Sequence, residues 1–329
     1  MKVSVLGCGR WGSFIAWYLC NQGHDVCLWG EETGASYSVL KQTGKNEYVR
    51  LDTRIALTCD LQQAISHAEI IIISISSQGL RGFIERVVQY GVQDKKFVLC
   101  MKGIEIATGA RLTQVLTQSG IDANQIAVWV GPGHIQAFTQ GIPNCMVIDS
   151  QNEILKCEIA DSFRSDLIRF YYGSDLIGTE IGAAAKNVMG IVAGVLDGCG
   201  FSSLKGSLMS RGAREVARLI KAMGGNELSA YGLAHLGDYE ATLFSEYSHN
   251  RTYGEKLVTG EKFNKLAEGV PTAAAMKALG EKYGVDLPIT CAVYDICYQP
   301  LAQGETYKAR CEQMLSKLFA REPKTEFYT

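Results

Sequence analysis

A chain of 329 residues, 47% hydrophobic and 20% charged, is long enough for two domains that each bury a core. A net charge of -2 argues against a nucleic-acid partner, which needs a basic face. The eleven cysteines lack C-x-x-C spacing, and the histidines form no H-E-x-x-H, so no metal site is expected. Cys27, Cys100 and Cys145 stand in apolar surroundings as small hydrophobes, and reduced thiols suit a cytoplasmic protein.

The chain opens on Lys2-Val3-Ser4-Val5-Leu6, a strand pattern with no signal peptide expected ahead of it. Gly7-Cys8-Gly9-Arg10-Trp11-Gly12 follows at once and leads into an amphipathic helix over 11–21. A G-x-G-x-x-G between strand and helix carries a mechanism. Gly7 permits the tight turn, Gly9 lets the backbone approach a pyrophosphate, and Gly12 allows close helix–strand packing. The helix N-terminus supplies amide donors. A dinucleotide cofactor is therefore expected here. The second strand ends at Leu28-Trp29-Gly30, with Glu31 and Glu32 next. Glu31 stands where a carboxylate would hold the ribose hydroxyls of NAD and repel the extra phosphate of NADP. The same two glutamates also read as solvated loop charges.

Further short apolar runs lie at 70–75, 97–101, 126–130 and 145–148, several separated by helix-length stretches such as 80–90. Ile70-Ile71-Ile72-Ile73 suits a strand buried on both sides. The pattern predicts a Rossmann-type, doubly wound parallel sheet over 1–178. From about residue 180 the apolar period becomes helical, through 183–196, 208–223, 272–283 and 290–298. Gly224-Gly225 and Gly284 read as helix stops and Pro288 as a start, so 179–329 is expected to be an all-α domain. The most apolar stretch, 187–196, is too short to cross a bilayer, which needs about 20 residues. No membrane insertion is expected.

Lys186 and Asn187 sit inside Gly182-Ala183-Ala184-Ala185-Lys186-Asn187-Val188-Met189-Gly190, with little hydrophilic face to share. A desolvated lysine has a lowered pKa and becomes usable as a general acid or base. An exposed solubility lysine is the alternative. Asp238 and Thr242 are four apart and would share a helical face, while Ser248 would cap a helix starting at His249 whose free amides suit an anion. A solvated loop explains that second cluster equally well.

These blocks in this order resemble bacterial NAD(P)-dependent glycerol-3-phosphate dehydrogenases across nearly the whole chain. They include the glycine loop, Leu28-Trp29-Gly30, Lys102-Gly103-Ile104-Glu105, Gly131-Pro132 and the 182–187 segment. Gly237-Asp238, Asn250-Arg251, Glu268-Gly269-Val270-Pro271-Thr272 and Leu287-Pro288-Ile289-Thr290 complete them. The resemblance implies a small phosphorylated substrate, with Lys186 as the proton-transfer group and Lys102 between nicotinamide and substrate oxygen. Gly131, Gly133, Asn187, Asp238, Thr242, Ser248, His249 and Asn250 would line the substrate site, with Asp238 also counted among the catalytic residues. Arg10, Trp11, His249 and Glu268 would meet the cofactor, the product would feed phospholipid synthesis, and a homodimer is expected. Two departures stand out. Gly133-His134 occupy the place of the family's usual Ser/Thr-Phe, and His249 that of an arginine. A protonated His249 would lose charge as pH rises past about 6.5, weakening anion binding. A sister dehydrogenase for another small anionic ketone, and a non-catalytic NAD sensor, are the competing readings.

Overall fold

The computed structural model describes residues 1–322, 325 and 326. The first part of the chain folds as β1 (Lys2–Leu6), α1 (Arg10–Asn21), β2 (Asp25–Trp29), α2 (Ala35–Thr43), β3 (Ala56–Thr58), α3 (Leu61–His67) and β4 (Ile70–Ile73). It continues with α4 (Leu80–Val87), β5 (Lys96–Leu99), α5 (Leu112–Gln118), β6 (Ile126–Val130), α6 (Ile135–Thr139), β7 (Asn144–Ser150), α7 (Glu153–Phe163) and β8 (Ile168–Tyr172). The strands form one sheet in the order β3-β2-β1-β4-β5-β6-β7-β8.

The isoleucine run explains the centre of that sheet. All four side chains of β4 are fully buried between parallel β1 and β5. Ile70 and Ile72 enter one core with Phe14, Ile15 and Leu19 of α1, while Ile71 and Ile73 enter the opposite core with Ile65, Leu80 and Ile84. A period of two thus feeds two cores, as a sheet covered on both faces requires. The chain order reverses between β1 and β4, and ligands of such sheets bind at the carboxyl ends of the strands beside that point.

The sheet is parallel as expected over most of its width, with one exception. Strand β7 runs antiparallel to β6, pairing Val130 with Val147, and β8 then runs parallel to β7. The link between β6 and β7 holds only the five-residue α6. A helix that short does not carry the chain back along the sheet, so its direction reverses.

Between Tyr172 and Leu176 the architecture changes to helices: α8 (Leu176–Gly198), α9 (Lys205–Ala222), α10 (His249–Thr259), α11 (Gly269–Tyr283), α12 (Pro288–Tyr298) and α13 (Tyr307–Phe319). Gly224 follows the end of α9 at φ +86, Gly284 caps α11 at φ +66, and Pro288 opens α12. The helix α8 is far longer than its apolar periodicity indicates. By length and composition it passes for a membrane span, yet 78% of that window is buried inside the protein, as in a core helix. Small residues let α10 cross it backbone to backbone. A Cβ on Gly194 would lie 1.8 Å from the Arg251 carbonyl oxygen, and one on Gly254 would lie 2.1 Å from that of Ile191.

A buried polar joint fixes the helical part against the sheet. Glu180 of α8 accepts from the Thr113 amide (2.9 Å), the Thr113 hydroxyl (2.7 Å) and the Arg111 guanidinium at the start of α5. Removing the carboxylate strands a buried guanidinium, which costs about 3–5 kcal/mol. Glu180→Ala should therefore lower Tm by roughly 5–10 °C. An unshifted melting curve would show that the joint contributes nothing.

Candidate active site

The glycine loop lies at the switch point, and each glycine has a separate reason. A Cβ on Gly7, at φ +114, would sit 2.2 Å from the Ser74 carbonyl oxygen after β4, and one on Gly12 would sit 1.8 Å from that of Gly7. Gly12 is thus packed beneath the loop rather than exposed to a ligand. A Cβ on Gly9 meets no atom within 4 Å, so the loop faces open space where a pyrophosphate fits against the start of α1. From this loop a cavity of about 740 Å³ runs both ways. Trp29, Glu31, Tyr37 and Phe83 line one end, and Lys102, His134, Lys186, Asp238 and Thr242 the other.

Two ammonium groups meet over one carboxylate oxygen at that second end. Lys102 Nζ lies 2.7 Å from Asp238 Oδ2 and 2.8 Å from the Gly131 carbonyl oxygen. Lys186 Nζ lies 2.9 Å from the same Asp238 oxygen and donates to the Thr242 hydroxyl at 2.9 Å. Asp238 is 1% exposed, and its Oδ1 has no hydrogen-bond partner among the described residues. Burial pushes the Lys186 ammonium down to about 8; Asp238 works against that fall and the Lys102 charge adds to it.

The segment carrying Asp238 is not an α-helix. Leu236–Asp238 is a 3-10 turn, and Glu240–Phe244 is a π-helical turn. Its anchor is buried His235, pushed down to about 4 by burial and hence neutral. One ring nitrogen lies 2.8 Å from the Gly182 carbonyl, and the other 2.7 Å from the Tyr239 hydroxyl. The carbonyl can only accept, so the ring donates to α8 and accepts from Tyr239. Residues adjoining Asp238 are thereby tied to the helix that carries Lys186.

The sequence matches the models of the NAD-dependent glycerol-3-phosphate dehydrogenase N-terminus over residues 2–156 and C-terminus over residues 175–307. This chain belongs to the NAD-dependent glycerol-3-phosphate dehydrogenase family. Among curated relatives, a glycerol-3-phosphate dehydrogenase [NAD(P)+] from Pelodictyon phaeoclathratiforme is 32% identical over 99% of both chains. One from Moorella thermoacetica is 32% identical over 95% of this chain and 96% of its own. The crystal structure of glycerol-3-phosphate dehydrogenase from Coxiella burnetii shares the fold, with a TM-score of 0.87, 24% identity and coverage of 97% and 98%.

Within this family member, several residues expected to touch substrate are engaged elsewhere. The Asn187 amide donates to the Lys102 carbonyl (3.1 Å) and accepts from Asn250 (3.0 Å), whose own oxygen accepts from the Gly269 amide (2.9 Å). The two asparagines brace the site across three elements, though both also line the cavity. Gly131 acts through its carbonyl. Gly133 sits at φ +138, where a Cβ would run into the Phe138 ring. Ser248 caps α10 by accepting from the Arg251 amide.

His249 differs from its expectation. It lies 3.3 Å from an Arg10 nitrogen, and burial together with that guanidinium pushes its pKa below the usual value. Its charge is therefore lost at a lower pH than that of a free imidazole. The permanent cation at this place is Arg10. Neighbouring His134 is held near 4 by burial and the Lys186 and Arg10 charges, and its Nε2 is buried without a partner among the described residues. Glu268 accepts from the Ser77 amide (3.1 Å) and hydroxyl (2.5 Å), clasping the two domains beside the cavity. Sequence reasoning missed Ser77, Arg86 and the part of His134. Arg86 reads as a surface cation on amphipathic α4, yet it pairs with Glu31 at 3.0 Å.

Proposed function

We propose that this chain interconverts sn-glycerol 3-phosphate and dihydroxyacetone phosphate with NAD(H), NADP(H) being the less favoured cofactor. The observation that carries the reading is the pair of ammonium groups sharing buried Asp238, in one cavity with the glycine loop. Family membership and the activity for which the curated relatives are named support the substrate. Gly7, Gly9, Arg10, Trp11, Glu31 and Glu268 would hold the dinucleotide, and the nicotinamide supplies or accepts the hydride. In ketone reduction, charge builds on the substrate C2 oxygen, where preorganised cations act most strongly. Lys102 stabilises that oxygen, and Lys186, with its pKa brought near neutrality, gives it a proton. Asp238 holds the two like charges together, and its unpartnered oxygen offers an acceptor to a substrate hydroxyl. Arg10 and the amides at the start of α10 suit the phosphate. All eleven cysteines are free thiols, which supports a cytoplasmic setting.

The decisive assay follows NADH absorbance with dihydroxyacetone phosphate beside a panel of small ketones and keto acids. Saturable turnover with dihydroxyacetone phosphate well above the rest is expected. A second reading, the same chemistry on another small anionic ketone, is favoured by Gly133, His134 and His249 alone. A different ketone as the best substrate would establish it.

A further inference from the structure

The adenosine end of the cavity carries an ion pair that the reaction does not use. Glu31 follows β2, where the ribose of a dinucleotide meets the protein in folds of this class. Arg86 of α4 reaches it with Nη1 3.0 Å from Oε2 and Nη2 3.5 Å from Oε1. The guanidinium also lies 5.9 Å from the Trp29 ring centre and 5.8 Å from that of Phe83, and both rings line the cavity. Both charged side chains are about half exposed, Arg86 at 50% and Glu31 at 52%. A pair so exposed contributes little to stability. Either partner is therefore free to exchange the other for a ligand at small cost.

We propose that Arg86 is the residue that sets cofactor choice, by screening Glu31 and accepting the 2′-phosphate of NADP(H) in its place. This rests on the dinucleotide reading above. With a free 2′-hydroxyl present, Glu31 accepts its hydrogen bond while Arg86 stays on the carboxylate. With a 2′-phosphate present, Glu31 faces a dianion and is repelled. Arg86 then leaves the carboxylate for the phosphate, to which a planar guanidinium gives two parallel hydrogen bonds. The aromatic rings beside it keep the guanidinium at the cavity lip in either state. The single carboxylate thus gives a preference for NAD(H), and the arginine beside it keeps that preference from becoming exclusion.

The test is direct binding, measured by calorimetric titration of NADH and NADPH into the wild-type protein, Arg86→Ala and Glu31→Gln, with no substrate present. Losing a charge-assisted phosphate contact should raise the NADPH-to-NADH ratio of Kd about tenfold or more in Arg86→Ala. Glu31→Gln should lower that ratio by about tenfold, because the repulsion is gone. Raising salt should weaken NADPH binding in the wild type and should close the gap between wild type and Arg86→Ala. Ratios within twofold of wild type in both variants would overturn the proposal while leaving the dinucleotide reading intact. A wild-type protein that binds neither cofactor would overturn both.

Discussion

Lys186→Ala should lower turnover by about a thousandfold while NADH still binds, since a positioned acid–base group contributes roughly 10²–10⁴. The reason is local. Lys186 is 11% exposed on a helix of alanines and glycines, ion-paired with Asp238 and hydrogen-bonded to Thr242. Removing it leaves Asp238 paired with Lys102 at 2.7 Å, so no buried carboxylate is stranded and the fold should persist. Lys186→Arg separates charge from proton transfer. A guanidinium keeps the positive charge but does not release a proton near neutrality. It should therefore fail to restore alcohol oxidation, which needs the neutral amine. The measurement is kcat in both directions at 340 nm, with NADH affinity taken separately from fluorescence. Near-normal turnover in either variant would remove Lys186 from the role of proton carrier.

Much of this site was legible because its residues violate their surroundings. A lysine among alanines in 182–190, and glycines placed between a strand and a helix, have few structural explanations. The isoleucine run was legible as a strand buried on both sides, because four β-branched residues in a row suit little else. What escaped were contacts between residues distant in the chain. Ser77 and Glu268 are 191 residues apart, and Arg86 and Glu31 are 55 apart; each alone is an ordinary polar residue on a loop or helix. The spacing of Asp238 and Thr242 suggested a shared helical face. Both do reach Lys186, but through a 3-10 turn followed by a π turn. The family resemblance implies that Asn187 and Asn250 line the substrate site, and both do line the cavity. Only the fold reveals that they bond to each other and to the backbone. The reversal at β7 was equally hidden, because an apolar strand carries no sign of its direction.

Asp238→Asn tests the electrostatics of the cluster rather than its proton carrier. In the wild type the Lys186 pKa is brought down to about 8 by burial, with Asp238 resisting the fall. The ammonium, which donates in ketone reduction, is present below about 8 and lost above it. Reduction should hold steady below that pH and decline above it, while oxidation, which needs the amine, should rise toward it. An asparagine of the same shape removes the one opposing charge and leaves burial and the Lys102 repulsion in force. The Lys186 pKa must then move further down, and both limbs move with it. At pH 7.5 reduction should fall by about 10- to 100-fold, and the deficit should shrink toward pH 6 as the ammonium is restored. Oxidation should begin its rise at lower pH than in the wild type. The observed limbs belong to the coupled lysines as a unit, and their direction of travel is what distinguishes the models. Parallel profiles in wild type and variant, differing only in height, would mean that Asp238 serves by orientation alone. A shift toward lower pH would make the shared carboxylate the group that keeps Lys186 charged enough to donate, against the burial that brings it near enough to neutrality to accept.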